Sequence, residues 1–277
     1  MESIIIKMRS LYSDMGRGEK KIADYIFEHQ KEIIGLSISE LSAACGCGDA
    51  TVVRFSRRLG LSGYQALKIS IAQESGDNAP AGVEKDDSCA EIFRKHIGDI
   101  ALALENTKSV LDDKMLARAA DLIMNARRIM IFGLGNSSSV AIDAQHKLLR
   151  AGLEAVAYCD NHMQAIAASH MRKGDVALGI SHSGSSVDVV KALELAHANG
   201  AATICITNYG SSPIVNCSDI ALFTNAEETK YSILALSSRI AQLAILDSIY
   251  TYIVINSPHS VRKAIHDTEV ALQDKKF

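Results

Sequence analysis

From residue 128 onward, short unbroken apolar runs alternate with longer stretches of helical spacing. The runs fall at 129–132, 155–158, 176–180, 202–206 and 220–222. Amphipathic stretches lie between them at 137–151, 161–171 and 186–199, with a short helical turn near 212–216 and a long helix at 227–256. Apolar runs of strand length read as strands buried on both faces, and the helices between them supply the cover. This pattern predicts a parallel α/β sheet. Ahead of residue 128 every periodic stretch is helical. A short helix is expected over 3–15. A second covers 19–32, with Ile22, Tyr25, Ile26, His29 and Ile33 on one stripe. Ser37 and Glu40 form a Ser-x-x-Glu capping box that opens a helix at 38–45, with Leu41 and Ala44 turned inward. Gly46-Cys47-Gly48 makes a tight turn, and a further helix runs over 49–59 to Gly60. Helices at 90–111 and 112–126 lead into the first strand.

Residues 75–88 hold two glycines, a proline and five charges, with little apolar content, and read as a linker. The expected organisation is an all-α domain over 1–75, a linker over 76–88 and an α/β domain over 89–277. The last includes two preceding helices and a helical C-terminal tail.

Within the first domain, a short helix, a glycine turn and a second helix have the proportions of a helix-turn-helix. The second helix has two faces. Val52, Phe55 and Leu59 should pack inward, while Thr51, Arg54 and Arg58 share another face with Arg57 beside them. In a recognition helix the N-terminal residues meet base edges, and arginines read guanine or grip phosphate. Asp49, Thr51, Arg54, Arg57 and Arg58 are therefore the candidate DNA-binding residues. Another reading stays open, since basic groups near a helix C-terminus favour the macrodipole without any nucleic acid.

The second half carries different chemistry. The strand at 129–132 ends at Gly133-Leu134-Gly135-Asn136-Ser137-Ser138-Ser139, and the strand at 176–180 ends at Ser181-His182-Ser183-Gly184-Ser185-Ser186. Each turn precedes a helix. A helix N-terminus has unpaired N–H groups and a dipole that favours an anion, glycine lets a ligand approach the backbone, and serine hydroxyls add donors. Two such turns suggest a shared anion cradle. A dinucleotide fingerprint would need glycine where Ser138 stands, although a nucleotide-dependent oxidoreductase using Asp160 for a ribose is a weaker alternative. Ser139 and Ser185 suit helix capping better than ligand contact. Sugar-phosphate isomerisation would need a base. Glu227, Glu228, His162 and His182 are the candidates, but no paired acid and base declare themselves.

The chain has 277 residues, 48% apolar and 22% charged, with a net charge of −3. That is globular composition without a global basic field. Residues 1–75 carry one net positive charge and the remainder four net negative. No signal peptide is expected, because the apolar run Ile4 to Ile6 is too short for a secretory core. The longest apolar stretch, 231–255, is interrupted by Arg239, Gln242 and Asp247, so a buried helix is expected there in place of a membrane span. The six cysteines form no C-x-x-C pair and read as reduced structural thiols. A cytoplasmic protein without metal or cofactor is expected.

Ile38-Ser39-Glu40-Leu41-Ser42-Ala43-Ala44-Cys45-Gly46, Ala50-Thr51-Val52-Val53-Arg54-Phe55-Ser56-Arg57-Arg58-Leu59-Gly60 and Leu61-Ser62-Gly63-Tyr64 resemble the N-terminal domain of RpiR-type bacterial transcription regulators. The likeness covers residues 1–75. Gly48 departs from it, since the family commonly has serine there; glycine is itself an acceptable N-cap. The two serine turns, spaced over five strand–helix repeats, resemble the sugar isomerase (SIS) domain over roughly residues 105–255. That resemblance implies a flavodoxin-like sheet binding phosphosugars through Gly135, Ser137, Ser138, Ser181, His182, Ser183 and Ser186. Glu228 would reach sugar hydroxyls, and His162, His182 and Tyr209 would wall the pocket. Together the resemblances imply a regulator of carbohydrate metabolism whose operator binding responds to a phosphosugar. An SIS-type phosphosugar isomerase is the alternative. The apolar circumference of the final helix points to a homodimer or homotetramer, matching a palindromic operator.

Overall fold

The computed structural model describes residues 4–30, 32–74, 83–84, 86–226, 236–257 and 259–273. The chain divides into two compact units, one holding the chain up to Asp99 and the other almost everything from Ile100 onward.

The first unit is helical. Helices α1 (Ile4–Leu11), α2 (Arg17–Glu28), α3 (Ile38–Ala44), α4 (Asp49–Arg58) and α5 (Tyr64–Glu74) surround a core that includes Met8, Ile22, Ile26, Ile33, Leu41, Val52, Phe55, Leu59, Leu67 and Ile71. Burying each such side chain is worth about 1.5–3 kcal/mol, so the inward stripe of α4 holds the helix in place. The capping box forms as expected: Ser37 Oγ accepts from Glu40 N at 3.2 Å, and Glu40 Oε2 accepts from Ser37 N at 2.8 Å. Two expectations need correction. Helix α2 stops at Glu28, because His29 leaves helical dihedrals (φ −124°, ψ 37°). The His29 ring then stacks on Tyr25 with centroids 4.5 Å apart. Ala44 is exposed, and Ser42 and Cys45 take the inward places beside Leu41.

The second unit contains the second half of α6 (Cys89–Val110) and all of α7 (Asp113–Met124), followed by five strands and their helices. These are β1 (Ile129–Gly133), α8 (Asn136–Arg150), β2 (Ala155–Tyr158), α9 (Asn161–Ser169), β3 (Val176–Ile180), α10 (Val187–Ala198), β4 (Ala202–Asn208), α11 (Pro213–Asn216), β5 (Ile220–Thr224), α12 (Leu236–Asn256) and α13 (His259–Leu272). All four strand pairings are parallel, and the order is β2-β1-β3-β4-β5. Alternation divides the sheet between two layers. Ile129, Ile131, Leu178, Ile180, Ile204 and Ile206 pack with α7, α8 and α12. Met130, Phe132, Ala177 and Cys205 pack with α9 and α10. The first turns of the expected helix over 227–256 lie outside the described residues. Among those described, no single helix is long and apolar enough to cross a membrane.

Candidate functional site

The strand order reverses at β1 and β3. The chain leaves β1 toward β2 on one side and leaves β3 toward β4 on the other, so the loops beyond their carboxyl ends diverge and leave a crevice. Both serine turns occupy those loops.

The first turn is shaped by two glycines. Gly135 has φ +57° and ψ −128°, a region that side-chain-bearing residues avoid. A Cβ on Gly133 would sit 2.7 Å from the carbonyl oxygen of Ser137. The close approach lets Ser137 N donate to Leu134 O at 3.1 Å and Ser138 N to Gly135 O at 3.1 Å. Helix α8 opens directly from this bend. The second turn is held by neighbouring elements. Ser181 N donates to Ile206 O at 3.1 Å. The carbonyl of His182 accepts from Asn208 N at 3.0 Å and from Thr207 Oγ1 at 3.3 Å. The carbonyl of Gly184, whose φ is +60°, accepts from Ile214 N at 3.0 Å.

The serine hydroxyls separate into two groups. Ser138 donates to Gly135 O at 2.6 Å, Ser139 to Asn136 O at 2.8 Å and Ser185 to Ser183 O at 3.0 Å. These three satisfy carbonyls within their own turns. Ser183 Oγ accepts from Ser185 N at 3.3 Å, which leaves its proton to donate. Among the described residues, the hydroxyls of Ser137, Ser181 and Ser186 donate to no acceptor, and Ser181 is buried. Gly135 and Ser186 are the N-cap residues of α8 and α10, and neither helix start receives a side-chain cap. The arrangement gathers hydroxyls and two helix N-termini at one crevice, which suits an anion carrying several acceptor oxygens.

Glu228 and Glu227 lie outside the described residues. His182 is half-buried within the second turn, and His162 is exposed at the start of α9. Tyr209 is exposed, its ring edge-on to Phe223 at 5.5 Å. Asp160 Oδ1 accepts from Met163 N at 2.9 Å, so this carboxylate caps α9. Among the described residues no three His, Cys, Asp or Glu side chains are placed to hold a metal ion. Burial pushes the thiols of Cys45 and Cys217 up to about 11 and that of Cys205 up to about 12.

One residue at the site escapes the sequence reading. Gln164, on α9, has no exposed surface. Its Nε2 donates to Tyr158 O at 2.8 Å and to Gly133 O at 3.4 Å, tying the ends of β2 and β1 together beneath the first turn. The only hint in the sequence is a glutamine on an otherwise small and apolar helix face. A cavity of about 640 Å³, lined by Arg118, Asp121, Lys173, His197 and Asp219 among others, opens at the opposite end of the strands from the serine turns.

In the helical unit, α3 and α4 are joined by Asp49, whose carboxylate accepts from Ser39 Oγ at 2.8 Å and from Ser42 Oγ. Thr51, half-buried, accepts from Arg54 at 3.4 Å. Arg54 and Arg57 are exposed. Arg58 donates to Glu19 Oε2 at 2.8 Å and to Asp14 O at 2.7 Å.

Comparison with known proteins gives concordant results. Residues 3–78 match the helix-turn-helix domain of the rpiR family, and residues 122–252 match the SIS domain. The HTH-type transcriptional regulator HexR of Pseudomonas aeruginosa is 34% identical over 258 residues, covering 92% of this chain and 90% of HexR. An uncharacterized HTH-type transcriptional regulator of Caldanaerobacter subterraneus is 34% identical over 100% of this chain and 99% of its own. Among solved structures, the Vibrio vulnificus NanR protein complexed with ManNAc-6P superposes with a TM-score of 0.82 at 24% identity, covering 99% of this chain and 100% of NanR. At that identity the likeness is one of fold.

Proposed function

The chain belongs to the rpiR family of helix-turn-helix transcriptional regulators with an SIS domain, and from that premise we propose that a phosphosugar bound between the two serine turns modulates its grip on operator DNA. The observation that carries this reading is the division of the serine hydroxyls at the strand-order reversal. Ser138, Ser139 and Ser185 satisfy their own turns, whereas Ser137, Ser181, Ser183 and Ser186 keep donors for a ligand. A phosphate dianion takes several converging neutral donors, and binding without a fixed counter-charge is moderate and reversible, as a sensor requires. Gly135 and His182 complete this part of the cradle, and Glu228 serves the sugar hydroxyls.

On the DNA side, Thr51 and Arg54 face the bases from the exposed surface of α4. Arg57 and Arg58 lie toward its end, where phosphates would run. Asp49 acts by joining α3 to α4. The working division is a DNA-binding domain over 1–75, a linker over 76–88 and a sensing domain over 89–277. The protein works as a homodimer or homotetramer in the cytoplasm and turns over no substrate. The kinship with named regulators supports a sensing role over isomerase chemistry. Ligand binding acts on DNA affinity only through a difference in affinity between two states of the protein.

The test is a mobility-shift titration of the full chain on the DNA upstream of its own operon, with and without a panel of phosphosugars. Sequence-selective binding whose midpoint moves with one phosphosugar is expected. Sequence-indifferent binding, or a midpoint unmoved by every phosphosugar, would sink the proposal. A parallel assay for phosphosugar isomerisation should give no turnover.

A further inference from the structure

Gln242, in the second turn of α12, is 1% exposed, and neither its Nε2 nor its Oε1 has a hydrogen-bond partner among the described residues. A buried polar group left unpaired costs about 1–3 kcal/mol, so such groups are rare unless something else pairs with them. Here both halves of one amide are unpaired in the interior of the α/β unit.

The position of the residue indicates what pairs with it. β5 ends at Thr224 on the carboxyl side of the sheet, and Ile245, Ile249 and Ile253 of α12 then pack back across the sheet. Helix α12 therefore starts at the carboxyl ends of the strands, as α8 does, and the two run in the same direction. An ion pair between Lys147 of α8 and Asp247 of α12 aligns them, so that residue 138 is level with residue 238. Gln242 then lies about one turn, roughly 6 Å, below the level of Ser138. Side chains on a helix lean toward its N-terminus, so the amide of Gln242 rises toward the serine turns. Buried Ser238 lies one turn above on the same face.

We propose that Gln242 reads the sugar ring: its amide donates to one hydroxyl of an adjacent pair and accepts from the other, while the serine turns hold the phosphate. A carboxamide offers a donor and an acceptor side by side, and neighbouring ring hydroxyls present the complementary pair. This rests on the phosphosugar reading above and assigns a separate part of the ligand to a separate element.

The experiment is calorimetry on the full chain, wild type against Gln242→Met and Gln242→Leu, with glucose 6-phosphate, N-acetylglucosamine 6-phosphate and inorganic phosphate as probes. Both substitutions remove the unpaired amide from an apolar layer, so the ligand-free melting temperature should hold or rise. Affinity for whichever phosphosugar the wild type binds should fall about tenfold or more, with inorganic phosphate affinity unchanged. Equal phosphosugar affinity in wild type and variants would overturn the assignment, since an internal water would then satisfy the amide. Parallel loss of inorganic phosphate binding would also overturn it, because Gln242 would then act on the whole site. A wild type that binds inorganic phosphate but neither of these sugars nor any other member of the phosphosugar panel would refute the phosphosugar reading itself, and this inference with it.

Discussion

The two serine turns begin from the same sequence logic and are held in opposite ways. The turn after β1 is self-contained: glycines at 133 and 135 fold it tightly, and Ser138 and Ser139 return their protons to its own carbonyls. From outside that stretch, Gln164 on α9 braces it at Gly133 O, and Cys159 Sγ lies 3.9 Å from Ser138 O. The turn after β3 borrows its shape from neighbours, with β4 and the start of α11 donating to His182 O and Gly184 O. The difference follows from the sheet. β1 has only the four-residue β2 beyond it, whereas β3 runs beside β4, which extends to Asn208 and reaches past the β3 end. A turn beside a longer strand can be held in place by it. One without such support has to encode its bend locally.

That contrast yields four measurable consequences. The largest effect is expected from Gly133→Val. Its Cβ would meet Ser137 O at 2.7 Å and Ala141 Cβ at 3.2 Å, so α8 has to move. A stability loss on the order of 3 kcal/mol in urea unfolding should accompany loss of ligand response. A near-wild-type result would mean that the first turn is not set by local close approach. Next, Ser183→Ala should weaken phosphosugar binding about tenfold and leave DNA binding intact. Ser138→Ala, which removes a hydroxyl already donating to Gly135 O, should change ligand affinity less than about threefold. Equal losses from the two variants would erase the division between capping and donating serines. Thr207→Val removes one brace of the second turn, a 3.3 Å bond to His182 O, and should cost about 1 kcal/mol, read by thermal unfolding. The smallest effect at neutral pH comes from the thiols beside each turn. Cys159, exposed near Ser138, should react with iodoacetamide in the folded protein, and Cys205, buried on β4, should not. Burial holds the Cys205 thiol neutral up to about 12, against 9.0 without it. The unfolded chain therefore releases this proton first, and stability should decline as pH climbs from about 9 toward 12. A flat denaturation midpoint over that range would contradict the burial of Cys205.

Much of this architecture is legible in the residues. Unbroken runs such as Val176 to Ile180 are buried on both faces, and period and length identify them as strands. The capping box at Ser37 and the inward stripe of α4 likewise depend on local spacing. What sequence reading missed depends on contacts between distant segments. Ala44 reads as inward by period, yet Ser42 takes an inward place because its hydroxyl bonds to Asp49. Arg58 reads as a free basic group, yet Glu19 pairs with it from another helix. Gln164 and Gln242 interrupt apolar faces, and spacing cannot tell a glutamine that braces a loop from one that meets a ligand. Within the candidate site, the two turns and their serines could be found from glycine and serine clusters after strands. Which hydroxyls are already engaged could not, because that depends on carbonyl positions set by φ and ψ.

The Arg58–Glu19 pair bears on how this protein should respond to salt. A cation that moves from solvent to a DNA phosphate displaces a counterion from the double helix, and each such contact steepens the fall of affinity with ionic strength. Arg58 already has an anionic partner at 2.8 Å. If it turns to the backbone, Glu19 is left to collect a cation of its own, and the ion released from the DNA is partly offset by one taken up by the protein. Among the described residues, Arg54 and Arg57 have no anionic partner to leave behind. Replacing Glu19 with glutamine should therefore raise affinity and make it more sensitive to salt, by a slope of up to about 0.9 for the one freed arginine.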